Sequence, residues 1–396
     1  MKWETVKLSE CCSSIADGDH QPPPKAISGV PFVTISNINT SNQFDFTNTM
    51  FVPQEYYDNL DTKRKAVVGD VLYSVVGSFG IPVLIKKYKP FVFQRHIAIL
   101  RPNEKVLPAF LYYTMLSKDF YAKADAVALG AAQRTVSLTS LRNIRIELPP
   151  VETQNRIVSI LSAYDDLIEN NQRQIKLLEE AAQRLYKEWF VDLRFPGHEH
   201  TAIVDGVPEG WRKTAISELG EYINGFAFKP SDWTTNGKPI IKIKEMGSGI
   251  VQNTPRNNGA RVPEKYLVKS GDILFSWSAT LMVMIWDNED GWLNQHIFKV
   301  IPSSDICREF LFQSISKAIH EFSNLTTGAT MKHIQRNKLD NVFVSVPNKS
   351  IMDMFNNFSF PIRERILRLS EQTNLLKQAR DRLLPKLMSG EMEVLL

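Results

Sequence analysis

"GDVLYS" (Gly69–Ser74) is followed 202 residues later by "GDILFS" (Gly271–Ser276), and the reading of this pair decides the fold. A recurrence of this kind is the mark of an internal repeat, and the match extends outward in both directions. "FQRHIAILRP" (Phe93–Pro102) is answered by "LNQHIFKVIP" (Leu293–Pro302). "LGAAQRTVSLTSLRNIRIELPP" (Leu129–Pro150) is answered by "TGATMKHIQRNKLDNVFVSVPN" (Thr327–Asn348). "LLEEAAQRL" (Leu177–Leu185) is answered by "LLKQARDRL" (Leu375–Leu383), 198 residues on. "ISGVPFVTISNI" (Ile27–Ile38) has a looser partner in "TNGKPIIKIKEM" (Thr235–Met246). The offset drifts by a few residues, as loop insertions require, and the order is the same in both copies. The chain therefore reads as one unit, a domain followed by a Leu-rich helix, written twice.

Composition agrees with two ordinary globular domains. The 396 residues are 43% hydrophobic and 23% charged, which suits a soluble protein with a core in each half. A net charge of +4 permits a nucleic-acid partner without implying one, because the relevant charge is local. Cys11, Cys12 and Cys307 form neither a disulfide framework nor a CxxC spacing, so a reducing cytoplasm is expected. The start, "MKWETVKLSE", has no apolar signal core. The longest apolar run, "LFSWSATLMVMIW", is too short for a bilayer and predicts a buried strand, so no membrane partner is expected.

Residues 1–150 carry short β-branched and aromatic runs separated by Gly, Pro and Asn. "PFVTISNI", "GDVLYSVV", "FVFQRHIAIL" and "IRIEL" predict strands. "LPAFLYYTMLSKDFYAKA" predicts a helix, and the second copy repeats the pattern with "PIIKIKEM", "GDILFSWSA", "NQHIFKVI" and "CREFLFQSISKAIHEF". From Val151 to Phe195 there is no Gly or Pro. Ile157, Ile160, Leu161, Tyr164, Leu167, Ile168, Ile175, Leu178, Ala182, Leu185 and Trp189 there form one helical stripe. Pro196-Gly197 predicts its end. A second helix is predicted from about Pro361 to Leu387, with Ile362, Ile366, Leu369, Leu376, Leu383 and Leu387 on its stripe. Tyr164, Asn171, Leu178 and Leu185 map onto Ile362, Leu369, Leu376 and Leu383, so both helices share one heptad phase. Each stripe then packs either on the other helix or on its own domain. Asn171 either fixes register within the seam or faces solvent where the seam ends.

Catalytic signatures are missing. There is no GxxxxGK phosphate loop, HExxH, GxSxG or GxGxxG, and no Asn-Pro-Pro-aromatic methyltransferase signature. "ADGDH" (Ala16–His20) has the residue types of a metal site, but "INGFAF" aligns there without them, so Gly18 reads as a turn glycine and no metal or cofactor is expected. His96 and His296 occupy matching places on strand-like runs, where a hydrogen-bonded core or rim role is expected. "PEK" (Pro263–Lys265) lacks the upstream acid of a nuclease. The loops are more suggestive: Gln133 and Arg134 in one copy; Lys332, His333, Gln335 and Arg336 in the other. Lys25, Ser36, Asn37 and Asn39, and Lys229, Lys242 and Lys244, occupy further matching stretches. These side chains reach phosphates and base edges.

The sequence resembles the specificity subunits of type I restriction-modification enzymes. The resemblance is carried by "DGDHQPPPKAISGVPFVTISNI", "NGFAFKPSDWTTNGKPIIKI", the two Gly-Asp phrases, "LPPVETQNRIVSILSAYDDLIENNQRQIKLLEEAAQRLYKEWFVDLRFPG" and "VPEGW" (Val207–Trp211), and it spans nearly the whole chain. It implies an α+β chain: two similar mixed α/β target recognition domains joined by two long antiparallel coiled-coil helices, pseudo-twofold within one chain. The expected parts are a first domain at 1–150, a central spacer helix at 151–195 and a linker at 196–210, then a second domain at 211–350 and a C-terminal spacer helix at 351–396. It further implies a non-catalytic subunit whose domains each read half of a bipartite site in double-stranded DNA. The implied partners are two methyltransferase subunits, with a motor-nuclease subunit left open. Ile157, Tyr164, Ile168, Asn171, Leu178, Leu185, Trp189, Ile362, Leu369, Leu376 and Leu383 are then the expected packing and docking positions. Two other classes stay open on the residues alone: an enzyme acting by itself, and a coiled-coil scaffold that binds only protein.

Overall fold

A computed structural model describes residues 3–20, 22–39, 42–77, 79–130, 133–251, 253–278, 280–325 and 339–393. The chain divides into two compact units, one of Met1–Leu167 with Leu376–Leu396, the other of Ile168–Leu375. Each unit is a mixed α/β body plus parts of two long helices.

In the first unit, a four-stranded antiparallel sheet runs in the order Cys12–Asp17, Ile97–Pro102, Val71–Ser74, Pro82–Leu84. A three-stranded sheet runs Met50–Val52, Val30–Val33, Val92–Phe93, with the last pair parallel. Glu4–Lys7 pairs with Arg145–Leu148. The second unit repeats the plan. Its four-stranded sheet is Gly220–Asn224, Ile297–Pro302, Ile273–Ser276, Met282–Ile285. Lys238–Ile241 and Gly291–Leu293 form its parallel pair, and Arg212–Ala215 pairs with Phe343–Val346. The register is kept as well: Val71 faces Leu100 and Ser74 faces Ile97, while Ile273 faces Val300 and Ser276 faces Ile297.

The two Gly-Asp phrases share one local cause. Gly69 and Gly271 adopt φ of 94° and 95°, a region open to glycine at little steric cost. The following Asp closes the turn: Asp70 Oδ2 accepts from Val67 N and Asp272 Oδ2 from Lys269 N, each at 2.8 Å. The strands that follow are buried on every residue. Successive side chains of a strand point to opposite faces, so Val71 and Tyr73 enter one core and Leu72 another. Ile273 and Phe275 likewise part from Leu274. This is why the phrase is apolar throughout rather than alternating. Each such side chain contributes roughly 1.5–3 kcal/mol by burial.

Three expectations are corrected. "LFSWSATLMVMIW" is a hairpin, with Ile273–Ser276 paired antiparallel to Met282–Ile285. "LPAFLYYTMLSKDFYAKA" is two helices, Pro108–Leu116 and Lys118–Ala126, because Ser117 leaves the helical region and its Oγ accepts from Phe120 N at 3.2 Å, capping the second. The second copy has one helix, Arg308–Leu325.

The third correction concerns the long helices. The central helix runs Val151–Tyr186, 36 residues or roughly 54 Å, then widens into a π turn at Lys187–Val191. The wider turn brings Trp189 and Phe190 together into the second unit's core. The ring of Phe190 lies 4.8 Å from both Phe310 and Phe355, edge to face. The helix thus ends before Pro196. The C-terminal helix runs Lys349–Met388, starting well before Pro361. An interior proline removes a hydrogen bond and costs about 3 kcal/mol. The preceding turns offset this, since Ile351, Met352 and Phe355 are buried in the same core. Within the second unit the helices run antiparallel, with Trp189 beside Phe355 and Asn171 beside Gln372.

Candidate nucleic-acid interface

The site is built by a pair of matching close approaches. In the first unit, Gly18 N donates to Ile97 O and Asp19 N to Phe93 O, while Arg95 N donates back to Asp19 O. In the second, Gly225 N donates to Ile297 O, Phe226 N to Leu293 O and Gln295 N to Phe226 O. A Cβ on Gly18 would lie 2.1 Å from Phe93 O, and one on Gly225 2.0 Å from Asn294 O. Both glycines are therefore required by backbone approach, and "ADGDH" and "INGFAF" align here for that reason. The approach pins a short turn, Gln94–His96 in one copy and Asn294–His296 in the other, at the end of the parallel strand pair. His96 and His296 therefore sit in turns, not in strands as expected. The backbone oxygen of His96 accepts from Val75 N and that of His296 from Trp277 N.

Around the first turn lies a cavity of about 320 Å³. Asp17, His20, Arg95, His96 and Gln133 line it, with the hydroxyl residues Thr135 and Ser137. His20 Nε2 lies 2.6 Å from Asp17 Oδ2, and Arg64 approaches the other carboxylate oxygen at 3.7 Å. Burial, aided by the Arg95 charge, lowers the pKa of His96 below the usual histidine value. Arg95 is exposed, and its guanidinium has no hydrogen-bond or ion-pair partner among the described residues. In the second copy the matching side chains are Asn224, Trp277, Gln295 and His296. Trp277 Nε1 donates to Asn224 Oδ1 at 3.3 Å, and its ring centroid lies 5.1 Å from that of His296. His296 has φ of 77°, and its Nδ1 is buried without a hydrogen-bond partner among the described residues.

The residues expected at the interface fall in several places. Gln133 lines the cavity; Arg134 folds back, 3.1 Å from Asp125 Oδ1 and donating to Asp125 O. Ser36 and Asn37 lie on the turn Ile35–Asn37 after the strand Val30–Val33, where Asn37 Oδ1 accepts from Thr34 N at 2.9 Å. Asn39 Oδ1 accepts from Gln43 N. Lys25 is exposed in the preceding loop. In the second unit Lys242 leads the helix Ile243–Ser248, its Nζ 4.8 Å over the Trp233 ring. Lys244 and Lys229 are exposed. Lys332, His333, Gln335 and Arg336 lie outside the described residues. Arg95 was missed because a single Arg beside a His reads as surface charge. The signal that finds it is the aligned pair "QRH" and "NQH", in which the His stays and its predecessor changes.

The helix positions divide by depth. Ile157, Ile168, Asn171, Trp189 and Leu369 are buried, while Tyr164, Leu178, Leu185, Ile362, Leu376 and Leu383 are half-buried. Asn171 does not face solvent: its amide donates to Gln372 Oε1 at 3.3 Å. Leu177 and Leu375, at matching places, are each 58% exposed. Arg363 and Glu309 form a buried pair in the second unit, at 2.8 and 3.0 Å. Arg380 and Tyr113 share Asp165 in the first.

Among the described residues no cluster of His, Cys, Asp or Glu could hold a metal ion, and no helix is long and apolar enough to cross a membrane. Burial pushes the thiols of Cys11 and Cys307 up to about 11 and that of Cys12 to about 12. They stay protonated near neutral pH and are poor nucleophiles.

Comparison with known proteins gives the same picture. The model of the type I restriction modification DNA specificity domain matches residues 1–180 and 208–366. The specificity subunit of the HindI type I restriction enzyme of Haemophilus influenzae is 24% identical over 91% of this chain and 95% of its own length. That of MjaIX from Methanocaldococcus jannaschii is 24% identical over 82% of this chain and 78% of its own. The crystal structure of the type I restriction-modification S subunit of M. genitalium superposes with a TM-score of 0.57 at 15% identity, covering 98% of this chain and 96% of that one. With two matched copies of the domain and relatives aligned over most of their length, the chain belongs to the specificity subunits of type I restriction-modification enzymes and carries two DNA specificity domains.

Proposed function

We propose that this chain is the non-catalytic reader of a type I complex, in which residues 1–150 read one half of a bipartite DNA site and residues 211–350 read the other. The long helices, Val151–Tyr186 and Lys349–Met388, set the distance between half-sites and dock two methyltransferase subunits. A motor-nuclease subunit adds ATP-dependent cleavage where it is present. The observation that carries the reading is the preserved scaffold with changed edges. Turn glycines, close-approach glycines and strand register recur between copies, while the side chains around the pinned turns differ. A duplex site read in two separated halves calls for two related readers. Fusing them in one chain lets the halves differ in sequence.

In this reading Lys25, Lys229, Lys242 and Lys244 lie against phosphates, supplying sequence-independent affinity that falls with salt. Ser36, Asn37, Asn39 and Gln133 lie near base edges; Lys332, His333, Gln335 and Arg336, outside the described residues, are the DNA-contacting candidates of the second domain. Leu177 and Leu375 give two like apolar points for two like partners. The test is assembly with the methyltransferase subunits of its own system. The complex should methylate one split sequence, and the chain alone should neither methylate nor cut. Turnover by the chain alone, after contaminating partner is excluded, would return the enzyme reading. A complex without salt-dependent DNA binding would return the scaffold reading.

A further inference from the structure

We infer that the two pinned turns are base-reading positions: Arg95 reads a guanine in the half-site of the first domain, and Gln295 reads an adenine in that of the second. The inference rests on the proposal that the domains read DNA, and adds to it the residues and the bases.

Three observations carry it. The first is geometric equivalence. Both turns are held by the same backbone hydrogen bonds, from Arg95 N to Asp19 O and from Gln295 N to Phe226 O, and both back onto a glycine that admits no Cβ. Positions 95 and 295 therefore start from matching points of the scaffold, and the turns differ in the residue that follows, since His296 has φ of 77° and His96 stays out of that region. The second is availability. Arg95 is exposed at the cavity rim and Gln295 is half-buried, and neither the guanidinium nor the Gln295 amide has a hydrogen-bond partner among the described residues. Arg134, the more obvious arginine, is already engaged by Asp125. The third is the chemistry of the change. Arginine donates a matched pair of hydrogen bonds to guanine O6 and N7; glutamine donates to N7 and accepts from N6 of adenine. Gln295 brings no charge to attract a phosphate, while its amide carries the donor and acceptor pair that an adenine edge requires. The neighbours change in step, Asp17 to Asn224 and Val75 to Trp277, while His96 and His296 stay. A constant frame with variable tips is what two readers of different sequences require.

The test uses the complex assembled with its methyltransferase subunits. The methylated motif is first mapped on a randomised DNA library with wild-type chain. If no bipartite motif appears, the DNA-reading proposal itself fails, whatever Arg95 does. With the motif in hand, Arg95→Ala should relax one guanine·cytosine pair in one half-site, lowering discrimination there by about tenfold to a hundredfold. Gln295→Ala should relax one adenine·thymine pair in the other half. Arg95→Lys keeps the charge and should hold overall affinity while losing much of the discrimination, since a lysine is a point charge without the fork. Melting curves and partner assembly confirm that each variant is folded; both positions are surface turns. An unchanged motif overturns the inference. So does relaxation of a different base, relaxation in the same half-site by both variants, or a uniform loss across sequences with a salt slope lower by about 1, which marks a phosphate contact.

Discussion

Asp70 and Asp272 make the same turn hydrogen bond but differ in what else they hold. Asp70 is 1% exposed and accepts two hydrogen bonds from Arg101 at 2.9 Å; the second copy has Ile301 in that place. Asp272→Ala should therefore cost about 1 kcal/mol, one turn hydrogen bond. Asp70→Ala also takes the counter-ion from Arg101, leaving it only the Lys65 carbonyl, and should cost about 3 kcal/mol. Denaturant unfolding of the two variants checks this, and equal losses would contradict it. Gly18→Ala and Gly225→Ala each force a Cβ onto a carbonyl oxygen at about 2 Å. Each should cost about 1–3 kcal/mol and alter reading only in its own half-site; a variant with an unchanged melting temperature would show that the approach is soft. At this scale much was legible. The Gly-Asp turn could be read from its recurrence. The role of Gly18 could not, because a clash with Phe93 O depends on a strand some 75 residues away. Nor could the engagement of Arg134 by Asp125, which depends on how its loop folds back.

The elements were legible where a period or a recurring phrase marked them. The four-stranded sheets follow the repeated runs, and both long helices follow their heptad stripes. The apolar stripe did not reach the start of the C-terminal helix, because Pro361 is a strong local stop signal overruled by the burial of Phe355. The offset of 198 residues would have found it, since Val151 maps onto Lys349. The π turn at Lys187–Val191 was hidden because its cause is tertiary: two adjacent aromatics that must enter one core. The C-terminal helix carries the arginine of the deepest charge pair of the second unit among the described residues, Arg363 at 5% and Glu309 at 2% side-chain exposure. Arg363→Met leaves Glu309 buried without its cation and should cost about 3–5 kcal/mol. Adding Glu309→Gln should recover part of that loss, because no buried charge then remains. Thermal melts of the single and double variants decide it; a double variant less stable than the single would contradict the account.

At the scale of the whole molecule, the repeat made the two-domain plan legible, while the bases read and the arrangement of readers on DNA depend on loop geometry. The proposed ruler has a direct consequence. Inserting one heptad into each helix, between Leu178 and Leu185 and between Leu376 and Leu383, keeps the stripe nearly in phase. It adds roughly 10 Å of helix, or up to about 3 base pairs at 3.4 Å each. The half-sites would also turn by roughly 100° around the duplex, so the complex should weaken while its best site has a longer gap. An optimum at the original gap, in a folded and partner-bound variant, would show that the helices do not set the distance. The central claim is that the two domains read independently. The most direct measurement replaces residues 1–150 with the matching domain of a relative, assembles the hybrid with the methyltransferase, and maps the methylated motif. The account predicts that one half-site changes to that of the donor while the other half and the gap stay as they were. A motif in which both halves change together would contradict it.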